Sequence, residues 1–269
     1  MAGECWGLVS KAVGMRTTPL HCLAQQKGLL VKERVNVIEA ITALFGQEIE
    51  MANKYKIYAP NSNDDKFYAV EHTNFILRNL KQCFGDCMPW DLDILYAEGW
   101  GATPAFTVKR PFSCTCCCFN RPTAYMHDVE GNLLGSLHDP WTCCGGLTFT
   151  VKDPDHNVIL DVDGGCFQPG FWCPLPCGNL KQVKFRITEH QSGREVGKLV
   201  KKVPSALAFL FAPDVDDYKL AFKDMMNPEH KALLMAMTIF IDFRYFNDNS
   251  NDGSGLRSPF DAIYDGLEG

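Results

Sequence analysis

Five times between residues 55 and 200 the chain repeats one pattern, in which two runs of alternating apolar and polar residues flank a short turn. The pattern spans Tyr55–Val70, Leu92–Val108 around Glu98 and Gly99, Ala124–Leu137 around Asp128 to Asn132, Leu147–Val162 around Asp153 to Asn157, and Val183–Val200 around Gln191 to Gly193. Alternation with period two puts one set of side chains on each face of a strand, and the turns carry the Gly, Asn, Asp or Pro that tight reversals need. Five hairpins in series predict an antiparallel meander, which closes into a barrel or folds into a sandwich. This pattern alone leaves both open. The Pro- and Cys-rich pieces 111–122, 140–146 and 164–178 fall between hairpins and read as loops.

The last element is of another kind. Asn227, Pro228 and Glu229 form a helix start: an N-cap, a proline at the first helical position and an acid near the positive end of the dipole. The helix is expected over about 228–246. At 100° per residue, Leu233, Leu234, Met237, Ile239, Phe240 and Phe243 spread around most of its circumference, while Lys231, Thr238, Asp242 and Tyr245 fall in one narrow stripe. A helix apolar nearly all round must be surrounded by protein or by lipid. The uncharged run Ala232–Ile241 is far shorter than the roughly 18–20 residues of a membrane span, and Asp242 in hydrocarbon costs about 2.5–3.5 kcal/mol. Burial inside the sheet, with a partner for Asp242, is the cheaper solution.

Among 269 residues the formal charge is −6, which argues against nucleic acid as a partner. Thirteen cysteines and a start without a long apolar core argue for reduced, cytosol-facing thiols. Cys114, Cys116, Cys117 and Cys118 crowd together behind Lys109 and Arg110 and ahead of Arg121. They are too close to pair with one another or to share one zinc comfortably. Thiols among basic and aromatic residues suit acylation by palmitate, and the competing reading is plain burial. A zinc site from Cys83, Cys87, Cys173 and Cys177 is a weaker competitor, since CxxxC spacing is looser than a zinc knuckle. Lys198, Lys201 and Lys202 read as a solvated basic face. No nucleophile elbow, phosphate loop or HExxH motif is present.

Six segments in order, GLLVKERVNVIEAITALFG, NKYKIY, VKRPFSCTCCCF, GKLVKK, APDVDDYKLAF and IDFRYF, resemble the phospholipid scramblase family over about Gly28 to Phe246. The resemblance implies a mainly β fold similar to the Tubby C-terminal domain, a closed twelve-stranded antiparallel barrel around a hydrophobic C-terminal helix. It implies calcium-stimulated, ATP-independent, bidirectional movement of phospholipids between leaflets, without covalent chemistry. It also implies a palmitoylated cysteine run, here Cys114, Cys116, Cys117 and Cys118, on the cytoplasmic face of the plasma or an endosomal membrane. The alternative is a lipid- or protein-binding adaptor that transports nothing. The family's degenerate calcium loop maps Asp214 and Asp216 onto ligand positions. Lys219, however, replaces the turn glycine and Met225 the closing acid, so a solvated acidic turn before a strand competes. Residues 1–28 are expected as a mobile leader, 29–246 as the barrel domain, and 247–269 as a disordered acidic tail. In that tail Tyr264 and Leu267 fit a loose adaptor-binding pattern for protein partners.

Overall fold

The computed structural model describes residues 19–33, 51–60, 64–72, 87–98, 101–114, 120–142, 147–165, 168, 182–202, 217–223 and 226–246. Twelve strands form one closed antiparallel barrel: β1 (Gly28–Glu33), β2 (Met51–Tyr58), β3 (Asp65–His72), β4 (Trp90–Glu98), β5 (Gly101–Arg110), β6 (Thr123–Asp128), β7 (Leu133–His138), β8 (Thr148–Lys152), β9 (Val158–Asp163), β10 (Gln182–Glu189), β11 (Glu195–Lys202) and β12 (Asp217–Phe222). Each strand pairs with its sequence neighbours, and β1 closes the ring against β12, Leu29 opposite Leu220. Closure leaves no open sheet edge. All five expected hairpins form, and the choice between sandwich and barrel falls to the barrel.

Period-two alternation selects what points inward. In β10, Val183, Phe185 and Ile187 are buried while Lys184 and Arg186 are exposed. The turns are built as their residues dictate. Asp128 Oδ1 accepts the N–H groups of Glu130 (2.9 Å) and Asn132 (2.8 Å), and Gly131 takes φ 84°. Asp153 repeats the device, accepting Asn157 N–H at 2.8 Å.

The hairpins place every short turn at one end of the barrel. The longer connections, after β1, β3, β5, β7, β9 and β11, lie at the other. The central helix, Pro228–Tyr245, enters at the short-turn end and runs toward the long-loop end. Asn227 Oδ1 accepts the Glu229 N–H at 3.0 Å, as its sequence predicts. Every residue from Lys231 to Asp242 is buried. Phe240 lies between Trp90 and Phe149, and Phe243 meets the Trp90 ring edge-on at 4.9 Å. The barrel interior is thus filled by the helix. Among the described residues no helix is long and apolar enough to cross a membrane.

The last part of the expected leader 1–28 is described. Residues 19–25 form a helical segment, Leu23 is fully buried against the core, and β1 begins at Gly28. The sequence conceals this because seven residues are too few to display a helical period. Residues 1–18 and the tail 247–269 lie outside the described residues.

Gly135 on β7 faces the helix closely: an added Cβ there would meet the Lys152 carbonyl and, at 3.0 Å, Leu233 Cδ1. Gly135→Ala should lower the unfolding free energy by about 1–3 kcal/mol. Urea denaturation checks this; an unchanged midpoint would show that the wall yields freely there.

Candidate functional site

The helix's polar stripe is consumed by three buried constellations. Near the long-loop end, Asp242 accepts hydrogen bonds from Tyr55 Oη (2.6 Å), Lys201 Nζ (2.8 Å) and Tyr218 Oη. Lys201 also donates to Tyr218 Oη at 2.8 Å and sits 4.1 Å from the Phe246 ring centroid. Lys201 and Asp242 are each 2% exposed. Such a pair offsets its desolvation only when both members and their remaining hydrogen-bonding sites are satisfied. The two tyrosines satisfy them. Burial, reinforced by the carboxylate of Asp242, holds the Tyr55 phenol well above its ordinary pKa, so it remains a donor.

At the short-turn end, Lys231 Nζ donates to the carbonyls of Leu23 (3.1 Å), Ala24 (3.0 Å) and Gln26 (2.7 Å). These include the carbonyls left open as the 19–25 helix ends, where a cation is favoured. Thr238 donates to Leu234 O at 2.9 Å within the helix itself. The third constellation centres on Asp139, just past β7, with Arg121 Nη2 at 2.6 Å, Arg244 Nε at 2.9 Å and Tyr245 Oη at 3.5 Å. Burial and the Asp139 charge push the Tyr245 phenol to about 12. Arg121 Nε reaches the Asp139 carbonyl at 3.2 Å, and Asp139 N–H donates to Pro122 O. The loops after β5 and β7 are thereby tied together. In all three, the hydrogen bonds described run between protein groups and tie the helix to the barrel or its loops.

The Scramblase family profile matches residues 10–248, a range that contains the whole barrel and helix. The chain belongs to the scramblase family. It is 27% identical over 241 residues to human "Phospholipid scramblase 2", covering 85% of this chain and 72% of the relative. It is 27% identical over 246 residues to mouse "Phospholipid scramblase 1", covering 87% and 67%. Mouse "Phospholipid scramblase 4" is 26% identical over 232 residues, covering 84% and 64%. No solved structure matches with statistical significance.

Of the cysteine run that the scramblase resemblance marks for acylation, Cys114 is exposed on the loop after β5, and Ser113 N–H donates to Cys87 O at 3.1 Å. Cys116, Cys117 and Cys118 lie outside the described residues, as do Asp214 and Asp216 and the thiols Cys83, Cys173 and Cys177. Among the described residues no cluster of three metal-ligating side chains occurs. The segment after Asp216 is strand β12, with Tyr218, Leu220 and Phe222 turned inward as their alternation predicts.

One sequence reading is corrected. Lys201 is not part of a solvated basic face; it is the buried partner of Asp242, while Lys198 and Lys202 are exposed. The signal was present in the alternation of β11, which puts Gly197, Leu199 and Lys201 on the inner face. Tyr55 and Tyr218 carry the same inward signal, but nothing local says that they meet. Asp139, in a loop, carried no signal.

On the outer wall, His72 Nε2 lies 2.8 Å from Asp93 Oδ2, and this hydrogen bond raises the imidazole pKa. Stability from a raised pKa is fully present below the unfolded value of about 6.5 and fades as pH climbs through the folded one. His72→Gln should therefore cost stability at pH 5 and almost none at pH 8, in paired urea titrations. For the buried pair, Lys201→Met alone should cost about 3–5 kcal/mol, and Lys201→Met with Asp242→Leu should regain most of that loss. Strictly additive losses in the double-mutant cycle would show the two residues to be uncoupled.

Proposed function

We propose that this chain is a membrane-tethered, phospholipid scramblase-like protein that moves phospholipids between leaflets without ATP and without covalent chemistry. The observation that carries the reading is the family match across 10–248, barrel and helix together, to proteins named phospholipid scramblases. Because the helix is enclosed by strands, the tether is assigned to a loop: palmitate on Cys114, Cys116, Cys117 and Cys118, of which Cys114 is exposed. About two acyl chains suffice for stable anchoring. The cytoplasmic face of the plasma or an endosomal membrane is the corresponding location, where acylated thiols and acidic lipids coincide. Calcium stimulation through Asp214 and Asp216 would be weak, for want of the turn glycine and closing acid. The tail around Tyr264 and Leu267 is the segment proposed for protein partners.

A second reading, an adaptor on the membrane that transports nothing, is favoured by one observation. Among the described residues, buried side chains of strands and helix form one continuous core, which speaks against a lipid path through the barrel. Purified protein in vesicles with a fluorescent lipid in both leaflets, bleached from outside by dithionite, separates the two. The scramblase reading expects complete bleaching at a rate that rises with protein and with calcium. Bleaching that stops at the outer leaflet in both conditions would leave the adaptor. Changing all four cysteines to serine should release the protein from cell membranes to the soluble fraction; unchanged partition would refute the tether.

A further inference from the structure

Around Val200 on β11 the outer wall carries four exposed lysines, Lys184, Lys198, Lys202 and Lys219. Strand register sets their places. Lys184 on β10 and Lys219 on β12 lie opposite Val200 on either side, about 5 Å away, while Lys198 and Lys202 lie two residues before and after it. Leu30 on β1 follows Lys219 in the same row, so half-buried apolar side chains sit between the cations. Lys198 has an acid within reach, Glu195 at 3.6 Å, which Lys223 shares at 3.3 Å. Arg186, opposite Lys198, reaches Asp163 at 3.8 Å. Asp217, two residues before Lys219, is the register partner of Lys32 on β1. Lys184, Lys202 and Lys219 enter no ion pair among the described residues. A wall of this sign, on a chain of net charge −6, suits an acidic cover.

The chain supplies one at this spot. The Phe246 ring centroid stands 4.1 Å from Lys201 Nζ and 6.5 Å from the Tyr218 ring, and those two residues directly precede Lys202 and Lys219. The residues after Phe246 therefore leave the barrel at the rim of the lysine wall. They are acidic: 247–269, outside the described residues, holds Asp248, Asp252, Asp261, Asp265 and Glu268 against Arg257 alone. The second half of this tail is patterned. Phe260, Ile263, Tyr264 and Leu267 recur at helical spacing, Asp261, Asp265 and Glu268 fall on the next stripe, and Ser258 and Pro259 precede them as a helix start. A segment apolar on one stripe and acidic on the next fits lysines set around apolar side chains, with the lysine stems as added cover. Residues 247–258 between rim and segment span about 17–21 Å on average. That exceeds the roughly 7 Å along β11 from Lys202 to Val200.

We propose that the tail segment 259–268 docks on this chain's own outer wall over Val200, setting Asp261, Asp265 and Glu268 against Lys184, Lys202 and Lys219. Exposed ion pairs are weak one by one, but a short tether holds the segment at an effective concentration in the millimolar range. The contact withholds Tyr264 and Leu267, the positions proposed for protein partners, so a partner reads them only when the tail leaves the wall. This goes beyond the membrane reading and does not depend on it.

The test uses the full chain under limiting chymotrypsin at low salt, with cleavage after Phe260 and Tyr264 followed by mass spectrometry. Each rate is taken relative to the free peptide 247–269 of the same sequence. Wild type should be cut roughly fivefold more slowly than Lys184→Glu with Lys202→Glu and Lys219→Glu, as three exposed ion pairs allow. The difference should vanish near about 0.5 M salt, where exposed pairs are screened. Lys109→Glu, on β5 across the ring from β11, should be cut as wild type is. Adding Asp261→Lys, Asp265→Lys and Glu268→Lys to the lysine variant should restore protection, a rescue that misfolding would not give. Equal relative rates in wild type and the lysine variant, or a swapped chain that stays unprotected, would overturn the docking. Protection that grows with protein concentration, alongside a dimer in sedimentation, would give the wall to a second copy and overturn it too. So would wild type that binds phosphatidylserine vesicles through these lysines while its tail is cut at the free-peptide rate.

Discussion

A carboxylate inside an apolar barrel is the constraint around which this protein is organised. Asp242 is 2% exposed, and its charge is tolerated because Lys201, Tyr55 and Tyr218 converge on it. These partners come from β2 and β12, which flank β1 where the two ends of the sheet meet, and from β11 beside β12. Tyr55 and Asp242 are separated by 187 positions in the chain. The cluster therefore joins strands on both sides of β1 to the helix at one point, so that closing the ring and burying the helix favour each other. Buried ionic groups rarely add net stability over apolar ones, but they penalise every arrangement that leaves one unpaired. A helix rotated by half a turn, or a strand slipped by one residue, would strand a charge here.

The same logic fixes the helix at both ends. Lys231 is held by the carbonyls of the 19–25 segment, and Arg244 and Tyr245 by Asp139. Polar side chains that on sequence could be mistaken for a lipid or ion path are saturated by structural partners. Among the described residues, the side chains of strands and helix form one continuous apolar core.

This arrangement separates the two roles of the C-terminal hydrophobic run. Its hydrophobicity serves the core of a barrel, and the proposed membrane tether lies on a loop instead. The family match spans the barrel and the helix together, and Cys114 of the proposed tether is exposed on the loop after β5.

How much was legible in the chain depends on the range of the interaction. Hairpin turns, inward and outward faces, and the Asn227–Pro228–Glu229 helix start are local, and period-two alternation and capping chemistry determine them without reference to the rest. The need to enclose the helix was equally legible, because an apolar circumference interrupted by Asp242 suits neither water nor lipid. What only the tertiary structure decided was partnership: that Lys201 leaves its basic neighbours to meet Asp242, that residues 19–25 cap onto Lys231, and that Asp139 gathers arginines from two distant segments. Such pairings are set by strand register around a closed ring, which brings together residues far apart in the chain. No local pattern can encode which charge lies across a barrel until the barrel has closed.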